Sequence, residues 1–295
     1  MTGAEQGFLL LTAYLGNPDR KPLTVAQFRQ LTKAARQMER PTEDRTLTAQ
    51  DLIGLGFRPD FAWRVIGLLE EESLLLRYLE QAQSLSCYPI TRLNDLYPQR
   101  IRDKLGLEAP GCLWAKGDIS ALTQPMISLV GSRVLEDSNR AFAEAVGKQA
   151  ALQGYTLVSG NARGADKTAQ ESCLANGGMV VSVVADALGA QEAKERILYL
   201  SEDDFDREFS SQRALSRNRI IHALGEKTFV AQCTLGKGGT WDGTVKNLQN
   251  GWSPVFCYDD ESPAFRELTQ MGADKVDIPA LQDINKITPA ILTMN

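Results

Sequence analysis

The stretch YTLVSGNARGADKTAQESCLANGG, residues 155–178, joins a predicted strand to a predicted helix through a glycine-containing turn. Its first part, Tyr155–Val158, is a strand-like run, and its second half has the composition of a helix. Gly160, Arg163 and Gly164 lie in the turn between them. Because glycines let a backbone approach a ligand and a helix N-terminus attracts anions, we expect this turn to bind the phosphates of a nucleic acid or nucleotide.

The same alternation of strand and helix continues from Met126 toward the end of the chain. Strand-like runs occur at MISLVG, MVVSVVA, KTFVAQ and PVFCY. Helix-like segments occur at NRAFAEAVGKQAALQ, ADKTAQESCLA, SQRALSRNRIIHAL, TWDGTVKNLQN and SPAFRELTQMG. This alternation predicts an α/β fold with a doubly wound, mostly parallel sheet.

The first eighty residues have helical periodicity instead. Residues 23–38 place apolar side chains at helical spacing, with Thr24 as the N-cap. Residues 47–82 form a second helical stretch that breaks around Gly54–Pro59. The helices on either side of this break loosely resemble a helix-hairpin-helix or SAM-like domain, and the pattern favours a plain helical bundle over that motif. The segment 83–123, interrupted by prolines, is predicted to be a connecting segment with short strands.

We therefore predict three parts of the chain. They are a small helical domain over residues 1–82, an α/β domain over residues 83–285 and a C-terminal tail over residues 286–295.

Composition limits the classes of function. The 295 residues carry a net charge of −5 with a pI of about 5.2, and 43% are apolar, which is enough for a substantial core. A protein that coats DNA with a broad basic face is usually basic. Any nucleic-acid binding must therefore use a local cluster of cations.

Targeting and metal signals are weak in this sequence. No apolar run approaches the roughly 18 residues of a membrane span, and no basic segment precedes the first apolar run, so we expect a cytoplasmic protein without membrane contact. The five cysteines are widely spaced, which predicts reduced thiols. With His222 as the single histidine, we expect no metal site and no cofactor.

Three predicted turns share glycine and a cation after an apolar run: VGSRVLED with Arg133, VSGNARGAD with Arg163 and QCTLGKGGTWDG with Lys237. Ligands of open α/β sheets bind at the carboxyl ends of strands, so these turns are candidates for one site. None of them matches the dinucleotide or P-loop pattern. The segment SRNRIIHAL adds Arg217 and Arg219, which lie two residues apart and cannot share one helical face. One arginine could reach a pocket, and a structural ion pair is the alternative for each.

The motifs ISLVGSR, VSGNARGAD and RNRIIHAL, in this order, resemble the DprA/Smf family of DNA-processing proteins. The resemblance covers roughly residues 88–258. It implies an extended Rossmann fold, a basic pocket that binds single-stranded DNA, a homodimer and no catalysis. It also implies that the protein loads a RecA-type recombinase during DNA uptake in natural transformation.

Carried over position by position, the resemblance implies a DNA- and phosphate-binding pocket. Its residues would be Gly131, Ser132, Arg133, Ser159, Gly160, Arg163, Gly164, Asp166, Lys167, Arg217, Asn218, Arg219, Lys237, Gly239 and Thr240.

The sequence also departs from the family pattern. GGTWDGT replaces the usual SGSLITA, Gln170 replaces a frequent histidine, and the stretch LSEDDFDRE is acidic. Because the chain stops at Asn295, we expect no winged-helix domain after the α/β domain.

Several residues have two interpretations. Trp241, Trp252 and Tyr258 could stack on bases or pack in the core. His222 is expected to be a partly buried histidine with satisfied hydrogen bonds, and the alternative is a catalytic base. Asp166 could simply cap the helix that follows it.

A rival function belongs to another class of protein. GKGGTWDG faintly resembles the turn of phosphoribohydrolases, in which Asp242 would act as acid/base or ribose ligand and Arg163 would bind phosphate. A nucleotide-binding sensor would use the same residues.

Overall fold

The computed structural model describes residues 1–36 and 46–290. The chain divides into two compact units, residues 1–97 and residues 98–295. The predicted domain boundaries at residues 82/83 and 285/286 stay a prediction. Residues 37–38 of the first predicted helix and residues 291–295 of the predicted tail lie outside the described residues.

The first unit is mainly helical. Thr24 caps its second helix, as predicted, and forms a reciprocal pair of hydrogen bonds with Gln27. The predicted break is also found, because one helix ends at Gly54 and the next begins at Pro59. The elements are α1 (Gly3–Thr12), α2 (Val25–Ala35), α3 (Ala49–Gly54), α4 (Pro59–Leu69), α5 (Glu72–Ser84) and the strand β1 (Tyr88–Thr91).

The second unit contains the alternating elements. Its strands are β2 (Cys112–Gly117), β3 (Met126–Val130), β4 (Thr156–Ser159), β5 (Met179–Val183), β6 (Ile197–Ser201), β7 (Thr228–Val230), β8 (Val255–Tyr258) and β9 (Asp274–Val276). Its α-helices are α6 (Gln99–Leu105), α7 (Asp137–Leu152), α8 (Ala165–Ala175), α9 (Ser211–Ser216), α10 (Asn218–Leu224), α11 (Gly238–Asn250) and α12 (Pro263–Gln270). Short 3-10 helices occupy Gly106–Glu108, Ile119–Thr123, Leu188–Ala190 and Pro279–Lys286.

These eight strands lie in the order β2-β6-β5-β4-β3-β7-β8-β9. The pairs from β6 to β9 are all parallel, and β2 alone pairs antiparallel, with β6. The chain moves in one direction from β3 to β6 and then returns to add β7 beside β3. The strand order therefore reverses between β3 and β7. The predicted α/β class with a doubly wound, mostly parallel sheet is confirmed.

Helices cover the faces of the sheet, so its central strands are buried on both sides. All residues of β3 and β4 are buried, as expected for the central strands of a parallel sheet, and this includes the polar residues Ser128, Thr156 and Ser159. On one face, α7 packs closely on α8 at Gly147, where an added Cβ would lie 2.1 Å from the Ala169 carbonyl oxygen. The close approach of these helices fixes α8, and with it the turn that precedes it.

The structure corrects three predictions of secondary structure. The segment 83–123 contains the helix α6, and the acidic stretch begins within a buried strand, β6. The segment SQRALSRNRIIHAL forms two helices, α9 and α10, with Arg217 at the junction.

Candidate nucleic-acid interface

A crevice of about 450 Å³ lies at the carboxyl ends of β3, β4 and β7, where the strand order reverses. Its wall combines the turn after β3, part of the turn after β4, the α9–α10 junction and the start of α11. The lining residues are Val130, Gly131, Ser132, Arg133, Ala162, Asp166, Phe209, Ser211, Ala214, Leu215, Arg217, Asn218, His222, Cys233, Thr234, Lys237, Gly238, Gly239 and Thr240.

The turns after β3 and β4 pack directly on each other. The Ala165 amide donates a hydrogen bond of 3.0 Å to the Ser132 carbonyl. Gly164 has a φ of +78°, and an added Cβ would lie 2.4 Å from the same Ser132 oxygen. Only glycine fits this position, because both the backbone conformation and the space exclude a side chain. The contact places the N-terminus of α8 beside the turn that carries Arg133.

Arg217 forms the buried base of the crevice. It is 8% exposed, and its guanidinium donates to the Gly160 carbonyl at 2.8 Å and to Asn218 Oδ1 at 3.0 Å. Its Nε is buried and has no hydrogen-bond partner. An added Cβ at Gly160 would lie within about 2 Å of the guanidinium, so glycine is needed there to admit the arginine. A buried cation with an unpaired donor in a crevice is a candidate anion ligand.

Asp166 organises the turn after β4. Its Oδ2 accepts hydrogen bonds from the Gly160 and Ala162 amides, both at 3.1 Å. It therefore holds the turn before α8, whereas the sequence left open a cap on the helix itself. Burial raises the pKa of this carboxyl, and the guanidinium of Arg217 opposes that shift.

The N-terminus of α11 opens into the crevice. This helix of 13 residues has no side-chain cap. Asn218 Nδ2 donates to the Gly239 carbonyl at 3.0 Å, and Thr240 Oγ1 donates to the Gly131 carbonyl at 2.8 Å. These bonds tie the helix start to α10 and to the turn after β3. The positive end of the helix dipole and Arg217 therefore line the same crevice.

Four of the six predicted cationic side chains are exposed, and they fall into two groups. Arg133 and Lys237 are exposed and line the crevice. Arg163 and Lys167 are also exposed but are not among its lining residues. In residues 1–36 and 46–290, none of these four side chains takes part in an ion pair. Unpaired cations remain available to neutralise an anionic ligand.

Arg219 occupies a structural position. It forms an ion pair with Glu202 and donates to the Ser216 carbonyl at 2.7 Å. This matches the alternative of a structural ion pair, and Arg219 does not line the crevice that contains Arg217. The remaining predicted residue, Ser159, is buried, and its hydroxyl accepts a 2.6 Å hydrogen bond from Gln170.

The structure thus brings nine of the fifteen predicted site residues into one crevice. They are Gly131, Ser132, Arg133, Asp166, Arg217, Asn218, Lys237, Gly239 and Thr240. Gly160 and Gly164 do not line the crevice, but their lack of a side chain leaves the space that Arg217 and the turn after β3 occupy. The sequence did not predict Phe209 and Leu215 as lining residues of the crevice. Their only sequence signal is that each is an apolar residue at one end of a mostly polar stretch.

His222 is fully buried, where the sequence predicted partial burial. Its Nδ1 lies 3.3 Å from Thr228 Oγ1 and 3.2 Å from Asn247 Nδ2. Desolvation, with a smaller effect of Arg217, lowers the pKa of His222 to about 3. The imidazole is therefore neutral near pH 7.

Two of the three aromatic candidates pack within the fold. Tyr258 stacks on Phe142 with a centroid distance of 4.7 Å, and Trp252 is buried with its ring 6.4 Å from that of His222. Trp241 is partly exposed and is not a lining residue of the crevice.

The residues of the rival hydrolase reaction are not brought together in this crevice. Asp242 is exposed, pairs with Lys246 at 3.6 Å one turn along α11, and lines a second crevice of about 600 Å³. Arg163 lines neither crevice.

The five cysteines are free thiols, and in the described residues no cluster of three or more His, Cys, Asp or Glu side chains could hold a metal ion. No helix within residues 1–36 and 46–290 has the length and apolar character that a membrane crossing requires.

Known proteins resemble this chain in sequence. The family model described as DNA recombination-mediator protein A matches residues 89–277. The DNA processing protein DprA of Streptococcus pneumoniae (strain ATCC BAA-255 / R6) is 30% identical over 201 residues, which cover 62% of this chain and 69% of that protein.

Solved structures agree in fold. The X-ray structure of DNA processing protein A from Streptococcus pneumoniae gives a TM-score of 0.67 at 23% identity, over 94% of this chain and 95% of that one. The structure of DNA processing protein A from Helicobacter pylori, described for its single-stranded DNA binding mode, gives 0.54 at 22% identity, over 66% and 94%. With most of the second unit matched by the family model, the chain belongs to the DNA recombination-mediator protein A family.

Proposed function

We propose that this protein binds single-stranded DNA in the crevice at the ends of β3, β4 and β7. The observation that carries the proposal is the convergence of buried Arg217, exposed Arg133 and Lys237, and the uncapped N-terminus of α11. All of these features attract phosphate, and none requires a particular base. The single-stranded DNA binding mode of DNA processing protein A from Helicobacter pylori supports single-stranded DNA as the ligand.

The acidic net charge makes the local cluster essential to this proposal. A chain of net charge −5 repels a polyanion at long range, so binding depends on the cations in the crevice. A single-stranded ligand also suits a crevice of about 450 Å³, which is too small to enclose a duplex.

The test is a fluorescence anisotropy titration of a labelled oligo-dT at increasing NaCl. For single strands the slope of log K against log salt is about −0.7 per neutralised phosphate, so three contacts give a slope of about −2. Lys237→Glu should weaken binding strongly. Lys148→Glu is the matched control, because Lys148 is an exposed lysine on α7 that does not line the crevice. Absence of binding at low salt would overturn the proposal.

We also propose that the protein is not an enzyme. Neither Asp242 nor Arg163, the two residues of the rival hydrolase mechanism, lines the crevice, and they do not line the second crevice together. The imidazole of His222, which does line the crevice, is buried and neutral. Release of free base from nucleoside monophosphates tests the alternative. Turnover by the parent that Asp242→Asn abolishes would establish the hydrolase and contradict the non-catalytic proposal.

Family membership supports further proposals about the cellular role. We propose that the protein is cytoplasmic, forms a homodimer and loads a RecA-type recombinase during DNA uptake. Light scattering of the purified chain tests the dimer. Recombinase loading is tested by formation of recombinase filaments on single-stranded DNA with and without this protein, and no difference would contradict it.

A further inference from the structure

We propose that the first unit carries a second DNA-binding surface, which contacts the phosphates of double-stranded DNA through a basic stripe on α2. The basic stripe consists of the exposed side chains of Arg29, Lys33 and Arg36. None of the sequence motifs that predicted the crevice includes these residues, and all residues that line the crevice belong to the second unit. The stripe and the crevice are therefore separate sites.

The first observation is that charge is segregated in this part of the sequence. Residues 20–36 contain five arginines and lysines and no aspartate or glutamate, although the whole chain has 37 acidic and 32 basic residues. Of the two cations that precede α2, Arg20 is buried and pairs with Glu71. The other three cations of the segment form the basic stripe. Basic residues clustered along one helix are typical of a surface that binds nucleic acid.

The second observation is that α2 brings these three cations onto one face. They are spaced by four and three residues, so they follow one another along the helix axis by about 6 and 4.5 Å. Arg36, at the end of the helix, keeps helical dihedral angles of φ −67° and ψ −19°, so it continues the stripe. Leu31 lies on the opposite face and is buried in the core of the first unit.

The third observation is that the fold does not neutralise the stripe. Among residues 1–36 and 46–290, no ion pair or side-chain hydrogen bond includes the side chains of Arg29, Lys33 or Arg36. By contrast, the exposed Arg58 of the same unit pairs with Asp60 at 3.0 Å. Like charges one turn apart repel each other on a helix. A row of phosphates along the stripe would replace this repulsion with attraction.

The fourth observation is that α2 is held in place without a ligand. Gln27 takes part in the capping pair with Thr24, and its Oε1 also accepts a 2.7 Å hydrogen bond from Arg64 of α4. The ring of Phe28 packs edge-on against that of Phe8, with a centroid distance of 5.1 Å. The helix therefore presents its cations in a fixed arrangement, which lowers the entropy cost of binding.

The composition of the exposed face favours a duplex over a single strand. Sites for single strands combine cations with aromatic side chains that stack on unpaired bases. The exposed residues of α2 beside the stripe are Val25, Ala26, Gln30 and Ala35, and none of them is aromatic. Phosphate contacts alone supply non-specific binding to a duplex, and its major groove, about 12 Å wide, admits an α-helix. The occupant is therefore the backbone of duplex DNA, held without sequence specificity.

The alternative is that these cations only complement the dipole of α2. Lys33 and Arg36 lie near the C-terminal end of the helix, where positive charge is stabilising. Arg29 lies more than one turn before that end, so the dipole does not account for it. A purely stabilising role predicts that loss of the charges lowers the free energy of unfolding and leaves DNA binding unchanged.

The experiment compares a labelled short DNA duplex with oligo-dT in the anisotropy assay at increasing NaCl. The double variant Arg29→Gln, Lys33→Gln should weaken duplex binding by about 10- to 100-fold at about 50 mM NaCl and reduce its salt slope by about 2, because each phosphate contact contributes about 0.9 to that slope. Its binding of oligo-dT should match that of the parent. Lys237→Glu, in the crevice, should show the reverse pattern.

The matched control is the double variant Arg77→Gln, Lys148→Gln. It loses one arginine and one lysine, as the stripe variant does, and both residues are exposed and lie outside α2. Its duplex binding should match that of the parent, because the stripe is intact.

Each outcome supports or overturns the basic stripe. Unchanged duplex binding in the stripe variant, equal weakening in the control, or equal weakening of duplex and oligo-dT overturns it. A parent that binds oligo-dT but no duplex at low salt also overturns it, while the proposed function stands. A parent that binds the duplex through the stripe but no oligo-dT overturns the proposed function alone. Urea unfolding checks the fold of each variant, and Lys33→Gln alone gives the same comparison if the double variant is unstable.

Discussion

Arg217 and Arg219 show how two identical side chains, two residues apart, acquire different roles. The guanidinium of Arg217 is buried at the base of the crevice, whereas that of Arg219 pairs with Glu202 outside it. The sequence could predict that they point in different directions, because residues two apart cannot share a helical face. It could not predict which one enters the crevice, since that depends on Gly160, which lies far away in the chain.

We predict that Arg217→Lys weakens binding of oligo-dT and also lowers the free energy of unfolding, each by on the order of 1 kcal/mol. A lysine keeps the charge but lacks the planar fork from which Nη1 and Nη2 of the guanidinium donate to Asn218 and to Gly160. Anisotropy and urea titrations measure the two effects. Arg133→Lys is the control, because Arg133 is exposed and its charge is retained. A variant at Arg217 that behaves like the parent in both assays would show that only charge matters there.

Among the helices and strands, the sequence predicted the unit of strand, turn and helix, but it did not predict where one helix ends and the next begins. The sequence predicted the strand, turn and helix of residues 155–178, and β4 and α8 follow it. It joined α9 and α10 into one helix because the apolar residues on both sides of Arg217 keep the helical spacing. In the structure Arg217 itself has helical dihedral angles, φ −66° and ψ −17°. It missed β6 because the acidic residues that follow obscure a strand of five buried residues.

We predict that Gly164→Ala destabilises the protein by more than Gly154→Ala. Both glycines have positive φ, +78° and +75°, so a side chain strains the backbone at each, and Gly164, with a ψ of −127°, also lies outside the left-handed helical region that other residues occasionally adopt. Only at Gly164 would the new Cβ also collide with backbone, at 2.4 Å from the Ser132 oxygen, while Gly154 has open space. Urea unfolding of the two variants measures the added cost of the collision and of the Gly164 backbone conformation together. Equal losses of unfolding free energy in the two variants would show that the turns after β3 and β4 can separate without a cost in stability.

At the scale of the whole molecule, the sequence predicted the α/β class because alternating strands and helices permit few other arrangements. The sequence also predicted which turns form the candidate site, because the carboxyl ends of parallel strands lie at one edge of a sheet. The strand order and the antiparallel pairing of β2 with β6 were not predicted, because they depend on contacts between distant segments. Phe209 was missed for the same reason.

We predict that the whole molecule loses stability in acid partly through His222. The folded protein holds the pKa of His222 near 3, below its ordinary value of 6.5, so only the unfolded chain takes up this proton between those values. The contribution of the neutral His222 to the free energy of unfolding is complete above pH 6.5 and is lost as the pH falls toward 3. The free energy of unfolding then falls by at most about 1.4 kcal/mol per pH unit. Urea unfolding at pH 7, 6 and 5 should show a shallower decline for His222→Gln. Parallel declines in the two proteins would contradict this account.

The position of β3 between β4 and β7 has a consequence for synthesis of the chain. β7 is made roughly a hundred residues after β3, and the start of α11 follows later still. At about 5–20 residues per second, a ribosome leaves one edge of β3 without its neighbour for about 5–20 seconds. During that interval the nascent chain exposes an unpaired apolar strand and has no complete crevice. The growing chain is therefore open to wrong strand pairing before it can capture DNA, and a chaperone that shields this edge would act in that window.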